Sequence, residues 1–206
     1  DKVIELQHNR GASVAQPSQA EMHEVFDVRR VIEAGIVRRL CQCGKRADFV
    51  RLSALVADER RAYEEGDRAR WLRLSGEYHL AAARSLGNRE LEALMNMLVA
   101  RTTLMKALYH APGGNVCSFD EHAAIVDAMA VGDADGAARL MDEHLQDAEL
   151  KLRQEPAGAE VDLAALFPWK QAEHGLGGVD ASQIRHRSAS REIEPFVEPS
   201  EQRVLA

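Results

Sequence analysis

Residues 118–152, SFDEHAAIVDAMAVGDADGAARLMDEHLQDAELKL, read as two helices broken at Gly132-Asp133. Glycine ends the first helix, Asp133 is suited to cap the second, and Ser118 with Glu121 three residues on has the form of a capping box. Apolar residues recur at helical spacing, Ile125, Val126 and Met129 on the first helix and Leu140, Met141, Leu145 and Ala148 on the second. One histidine falls on each stripe. His122 and His144 are therefore expected to point inward. Glu121 and Glu143 directly precede them and sit about 100° away around the helix, which rules out the Glu-x-x-His ligand pairs of di-iron bundles.

A single inward histidine is usually a hydrogen-bonded core residue. A third one changes the reading. His79, in WLRLSGEYHLAAARSLG, shares a stripe with Leu72, Ser75, Ala82, Ala83 and Leu86. Three helices thus aim one imidazole each at a common interior, a donor set suited to a divalent transition metal such as zinc or nickel.

The chain has 206 residues, enough for one substantial core with a small appendage. Hydrophobic residues make up 46% and aromatics 5%, a balance that favours helices over sheet. The formal charge of −7 makes the chain as a whole a poor match for a phosphate backbone, so any DNA contact is expected to be local. Three cysteines, two of them in a Cys41-x-Cys43 pair, fit neither a disulfide framework nor a structural zinc site. No apolar run approaches the ~18 residues of a membrane span, and DKVIELQ lacks signal-peptide form. The expectation is a cytoplasmic chain with no membrane partner.

Residues 1–16 alternate as a strand over Val3–Leu6, turn at His8-Asn9-Arg10-Gly11 and resume at Ser13-Val14, a β-hairpin pattern. Pro17-Ser18 opens the first long helix, with Ser18 and Glu21 as a capping box and Met22, Val25, Phe26, Ile32, Ile36 and Leu40 as its buried stripe to Gly44. Arg29 and Glu33 lie within that stripe at i and i+4. Further helices follow from about Asp48 to Glu65, Asp67 to Leu86 and Asn88 to Tyr109. In the last of these Leu94, Leu98, Met105 and Leu108 define an apolar face around Arg101. A buried guanidinium needs an acid partner, so Arg101 pairs either with a core carboxylate such as Glu33 or with a bound anion. Periodicity fades after Leu152. Residues 153–206, with four of the six prolines and the basic patch IRHRSASR, read as a tail with at most one short helix, Val161 to Phe167. No phosphate loop, HExxH or nucleophile elbow occurs.

The run EYHLAAARSLGN, then RTTLMKALY, then CSFDEHAAIVDAMAVGDADGAARLMDEHL resembles the ligand-binding FCD domain of the FadR subfamily of GntR transcription regulators, over about residues 19–152. The resemblance implies an all-α antiparallel bundle of about six helices over residues 17–152. It makes residues 1–16 the wing of a winged helix-turn-helix domain lying ahead of residue 1, with Arg10 and Gly11 as the local DNA-contacting candidates. It also implies metal ligation by His79, His122 and His144. In metal-binding members an Asp or Asn stands four residues before the first histidine; here that residue is Ser75, a poor ligand beside a carboxylate. Arg29 matches an arginine that faces the effector cavity, and Arg101 matches one in the family's RTSL-type signature, written here Arg101-Thr102-Thr103-Leu104.

Together these readings predict the effector-sensing part of a dimeric regulator that binds a small carboxylate at a metal centre and controls operator DNA binding. Two other readings compete. A hydrolase or hydratase built on three histidines and zinc uses the same donors, and a metal-free dimerisation module fits Ser75.

Overall fold

The computed structural model describes residues 3–7, 11–109, 118–152 and 162–167. Two strands, β1 (Ile4–Gln7) and β2 (Gly11–Val14), pair antiparallel with Ile4 opposite Val14 and Gln7 opposite Gly11. Six long helices follow: α1 (Gln19–Cys43), α2 (Arg46–Glu64), α3 (Arg68–Ser85), α4 (Arg89–Tyr109), α5 (Ser118–Ala130) and α6 (Ala134–Leu150). A single turn, α7 (Leu163–Leu166), completes the described chain. The strands are shifted by a residue or two from the expected hairpin, and α2 begins at Arg46, where Asp48 accepts the Lys45 N–H at 2.9 Å.

Tight turns set the up-and-down order of the bundle. Gly66, Gly87 and Gly132, each just past a helix end, have φ between +66° and +78°, a left-handed conformation that glycine adopts without steric cost. Asp67 and Asp133 then cap α3 and α6, accepting the N–H of Arg70 and Gly136. At α1 the capping box forms as expected: the Glu21 N–H donates to Ser18 Oγ and the Ser18 N–H to Glu21 Oε2. The box expected at α5 does not form. Ser118 Oγ donates instead to Glu59 Oε1 at 2.7 Å, and the Glu121 carboxylate is taken by His144 on α6, because a buried ring N–H is a more demanding donor than an amide at a helix end.

The six helices close into a ring of neighbours in the order α1, α4, α3, α2, α5, α6 and back to α1, while α1, α3 and α5 also touch one another across the middle. Phe26, Val37, Leu40, Leu52, Met95, Met105, Ile125 and Leu145 are among the fully closed side chains of this interior. A second, smaller cluster lies outside the ring. There Val3 and Ala15 at the base of the hairpin, joined by a 3.0 Å bond from the Ala15 N–H to the Val3 carbonyl, pack with Trp71, Leu72, Leu74, Leu104, Ala107 and Leu166.

The buried face of α4 is rotated from the expected stripe. Leu94 is 37% exposed, whereas Met95, Leu98, Val99, Thr102 and Met105 are buried. The face therefore runs through 95, 98, 102 and 105, and Thr102 rather than Arg101 meets the ring interior. Leucine at 94 misled the pattern because β-branched, threonine and methionine positions carry the true stripe. Arg10 in the hairpin turn, Cys117 and the patch at Arg185–Arg191 lie outside the described residues, as does most of the tail expected over 153–206.

Candidate metal centre

Every helix of the ring sends at least one polar side chain to its centre, and nearly all are closed to solvent: Arg29 and Glu33 from α1, Glu59 from α2, Ser75 and His79 from α3, Thr102 from α4, His122 from α5 and His144 from α6. Burying so many polar groups is costly unless each finds a partner. The partners form a regular scheme. His79 Nδ1 meets Glu33 Oε2 at 2.5 Å, His122 Nδ1 meets Glu59 Oε2 at 2.7 Å and His144 Nδ1 meets Glu121 Oε2 at 2.6 Å.

An ionised carboxylate only accepts, so each contact calls for the ring proton to sit on Nδ1. The three Nε2 atoms are then bare lone pairs, and they converge: His122 to His144 at 3.1 Å and His144 to His79 at 3.4 Å, with all three within 4.8 Å of one another. Two lone pairs that close repel unless something positive stands between them. Burial, together with neighbouring cations, pushes His79 and His144 well below the ordinary imidazole range, so a proton is a poor candidate. A metal ion suits the site better. Nitrogens bound tetrahedrally at about 2.0–2.1 Å stand about 3.3 Å apart, close to the His122–His144 and His144–His79 spacings. Carboxylates on Nδ1 are the usual means of fixing a ligating histidine.

Burial pushes the Glu33 carboxyl upward while Arg29 pulls it back. For Glu59 burial acts in the same direction, but His122 and Ser118 outweigh it and bring the group below its usual value. Tyr78 stacks on His122 at 4.0 Å between ring centres, and its buried hydroxyl has no hydrogen-bond partner among the described residues.

Of the two arginines expected at the site, the structure brings in one. Arg29 Nε donates to Glu33 Oε1 at 2.7 Å and Nη1 to Thr102 Oγ1 at 2.8 Å, while the buried Nη2 has no partner among the described residues. Arg101 is half-buried, forms no hydrogen bond or ion pair among the described residues, and does not pair with Glu33, which Arg29 occupies. Ser75 is buried one turn before His79, and its Oγ accepts from Lys106 Nζ at 3.4 Å. Burial, aided by Arg29, lowers the Lys106 ammonium to about 8. Gly11 begins β2.

Glu59, Glu121, Thr102 and Lys106 were missed as site residues by sequence reasoning. Glu59 had a signal, since it continues the Leu52–Val56 stripe of α2 as an acid on an apolar face. Glu121 points away from His122 on its own helix, and that same angle carries it across to His144.

A family model for the FCD domain matches residues 24–147. No curated protein matches the sequence. Among solved structures the fold is similar to that of a GntR transcriptional regulator from Rhodococcus sp. RHA1, with a TM-score of 0.64 and 22% identity over 72% of each chain. E. coli McbR/YncC gives 0.62 and 17% identity over 70% of this chain and 74% of that one. Streptococcus agalactiae GntR gives 0.52 and 18% over 72% and 75%.

Proposed function

Because this chain belongs to the FCD-domain family of GntR-type transcription regulators, we propose that it senses a small carboxylate at a transition-metal centre held by His79, His122 and His144. The observation that carries this reading is the trio of facing Nε2 atoms, each backed by a carboxylate on Nδ1. Zinc or nickel fits three neutral imidazoles, and when bound it offers an open position to a ligand oxygen. Arg29 serves as the effector's second anchor, since Nη2 is a buried cationic donor with no partner among the described residues. Arg101 is assigned no contact with the effector in this reading.

The regulator acts as a homodimer on operator DNA, with the β1–β2 hairpin as the wing of a winged helix-turn-helix domain and residues 153–206 as a tail on the sensing domain. No helix among the described residues is long and apolar enough to cross a membrane. Hydrolytic chemistry at the same ion would need a free general base. Each carboxylate touching the three rings is instead committed to a ring N–H, which favours sensing over turnover.

Elemental analysis of protein purified without chelator is expected to give about one transition metal per chain. Removing it should lower the melting temperature by several degrees, because an ion at about a hundred times its dissociation constant contributes about 2.7 kcal/mol. A metal-free preparation whose melting point ignores added zinc and nickel would sink the proposal.

A further inference from the structure

Lys106 is the charge in this centre that the reading above leaves unused. Arg29 has Glu33 at 2.7 Å; Lys106 forms no ion pair among the described residues, and its nearest polar partner is the neutral Ser75 hydroxyl. Its place follows from the antiparallel packing of α3 on α4. Gly76 allows the two helices to come close, since a Cβ there would stand 3.0 Å from both Thr103 Oγ1 and Val99 Cγ1. Across that contact Ser75 faces Lys106, while one turn along each helix stand His79 and Thr102, the latter bonded to Arg29. The metal-ligating level and the ammonium level are thus separated by one helical pitch, about 5.4 Å.

Lys106 is half-buried, so its ammonium gives up part of its hydration without gaining a counter-charge, and three imidazoles bring no negative charge to a divalent ion. Glu33, Glu59 and Glu121 face the same interior, but each is held by a ring N–H at 2.5–2.7 Å and so is committed elsewhere. One monocarboxylate meets the metal and Arg29 and still leaves Lys106 unpaired.

Resting on the sensing reading above, we infer that Lys106 selects an effector with two acid groups: a dicarboxylate with a linker of two or three carbons, one end at the level of His79 and Arg29 and the other in a salt bridge with Lys106. Ser75 is what makes this possible. A carboxylate at that position would neutralise Lys106 within the protein and remove the demand for a second acid.

The test is calorimetric titration of the zinc-loaded full chain with succinate and with butyrate, which have the same number of carbons and differ in one acid group. The wild type should bind succinate at least tenfold more tightly. Lys106→Met should bring the ratio near one with zinc content unchanged, Lys106→Arg should retain the preference, and Ser75→Asp should abolish it by supplying the acid internally. Circular dichroism and zinc content identify any variant that fails to fold, and Ser75→Asp answers the question if Lys106→Met is lost. Equal affinity for both acids in the wild type overturns the selectivity assigned to Lys106 while leaving the sensing proposal standing. Loss of zinc from a folded Lys106→Met also overturns it, because the lysine would then serve the metal. Binding of neither acid, or absence of zinc, brings down both proposals.

Discussion

The interior of the helix ring and the cluster beneath the hairpin are both closed to solvent, yet one is crossed by charge and the other is mostly hydrocarbon. At the ring centre Arg29, Glu33, Glu59, His79, His122 and His144 are each at most 2% exposed. In the outer cluster Trp71, Leu72, Leu104, Ala107 and Leu166 do the packing. Hydrocarbon burial stabilises a fold at about 25 cal/mol per Å², whereas buried ion pairs are often neutral or worse against hydrophobic replacements. The comparison teaches that the centre is not there for stability. Charges buried at little gain to the fold are the physical ground for the sensing role proposed above.

The largest effect is expected from breaking one side of a buried pair. Arg29→Met leaves Glu33 charged without its guanidinium and should cost about 3–5 kcal/mol in urea unfolding. The double variant Arg29→Met/Glu33→Leu should recover most of that loss, yet bind metal 10–100-fold more weakly because His79 loses its orienting carboxylate. A double variant that stays destabilised would mean that the centre is structural after all.

In the outer cluster Leu104, 1% exposed, should behave as ordinary core. Leu104→Ala is expected to cost about 3 kcal/mol through lost contact and cavity, with metal content unchanged. Metal loss in that variant would show that the two regions are coupled through α4.

Acid should separate the regions most gently. His79 and His144 are held neutral in the folded, metal-free protein, whereas in the unfolded chain they take up protons near pH 6.5. The unfolded state then binds more protons, so stability falls as pH drops below about 6.5, with a slope of up to about 2.7 kcal/mol per pH unit while both contribute. Glu33, shifted upward, acts in the opposite sense at lower pH, where it stays protonated longer folded than unfolded. Urea midpoints at pH 7.5 and 5.5 measure the loss. Equal midpoints would mean that the imidazoles are not buried as neutral rings.

The periodic stripes and turn glycines were enough to mark out six helices, because helix period and positive-φ turns are local properties of the chain. They also put His79, His122 and His144 on inward faces, and the resemblance of the surrounding motifs pointed to metal. What the chain's local pattern left open was pairing across helices. Arg29 and Arg101 both lie in apparent apolar stripes; Arg29 does reach the interior, but a rotation of α4 by a single residue gives the place expected for Arg101 to Thr102. Glu121 lay on the wrong side of its own helix to serve His122, and only the crossing of α5 and α6 brings it to His144. Side-chain direction along a helix is set by sequence, but which donor meets which acceptor depends on the register and angle at which helices pack, and those are decided by the whole interior at once.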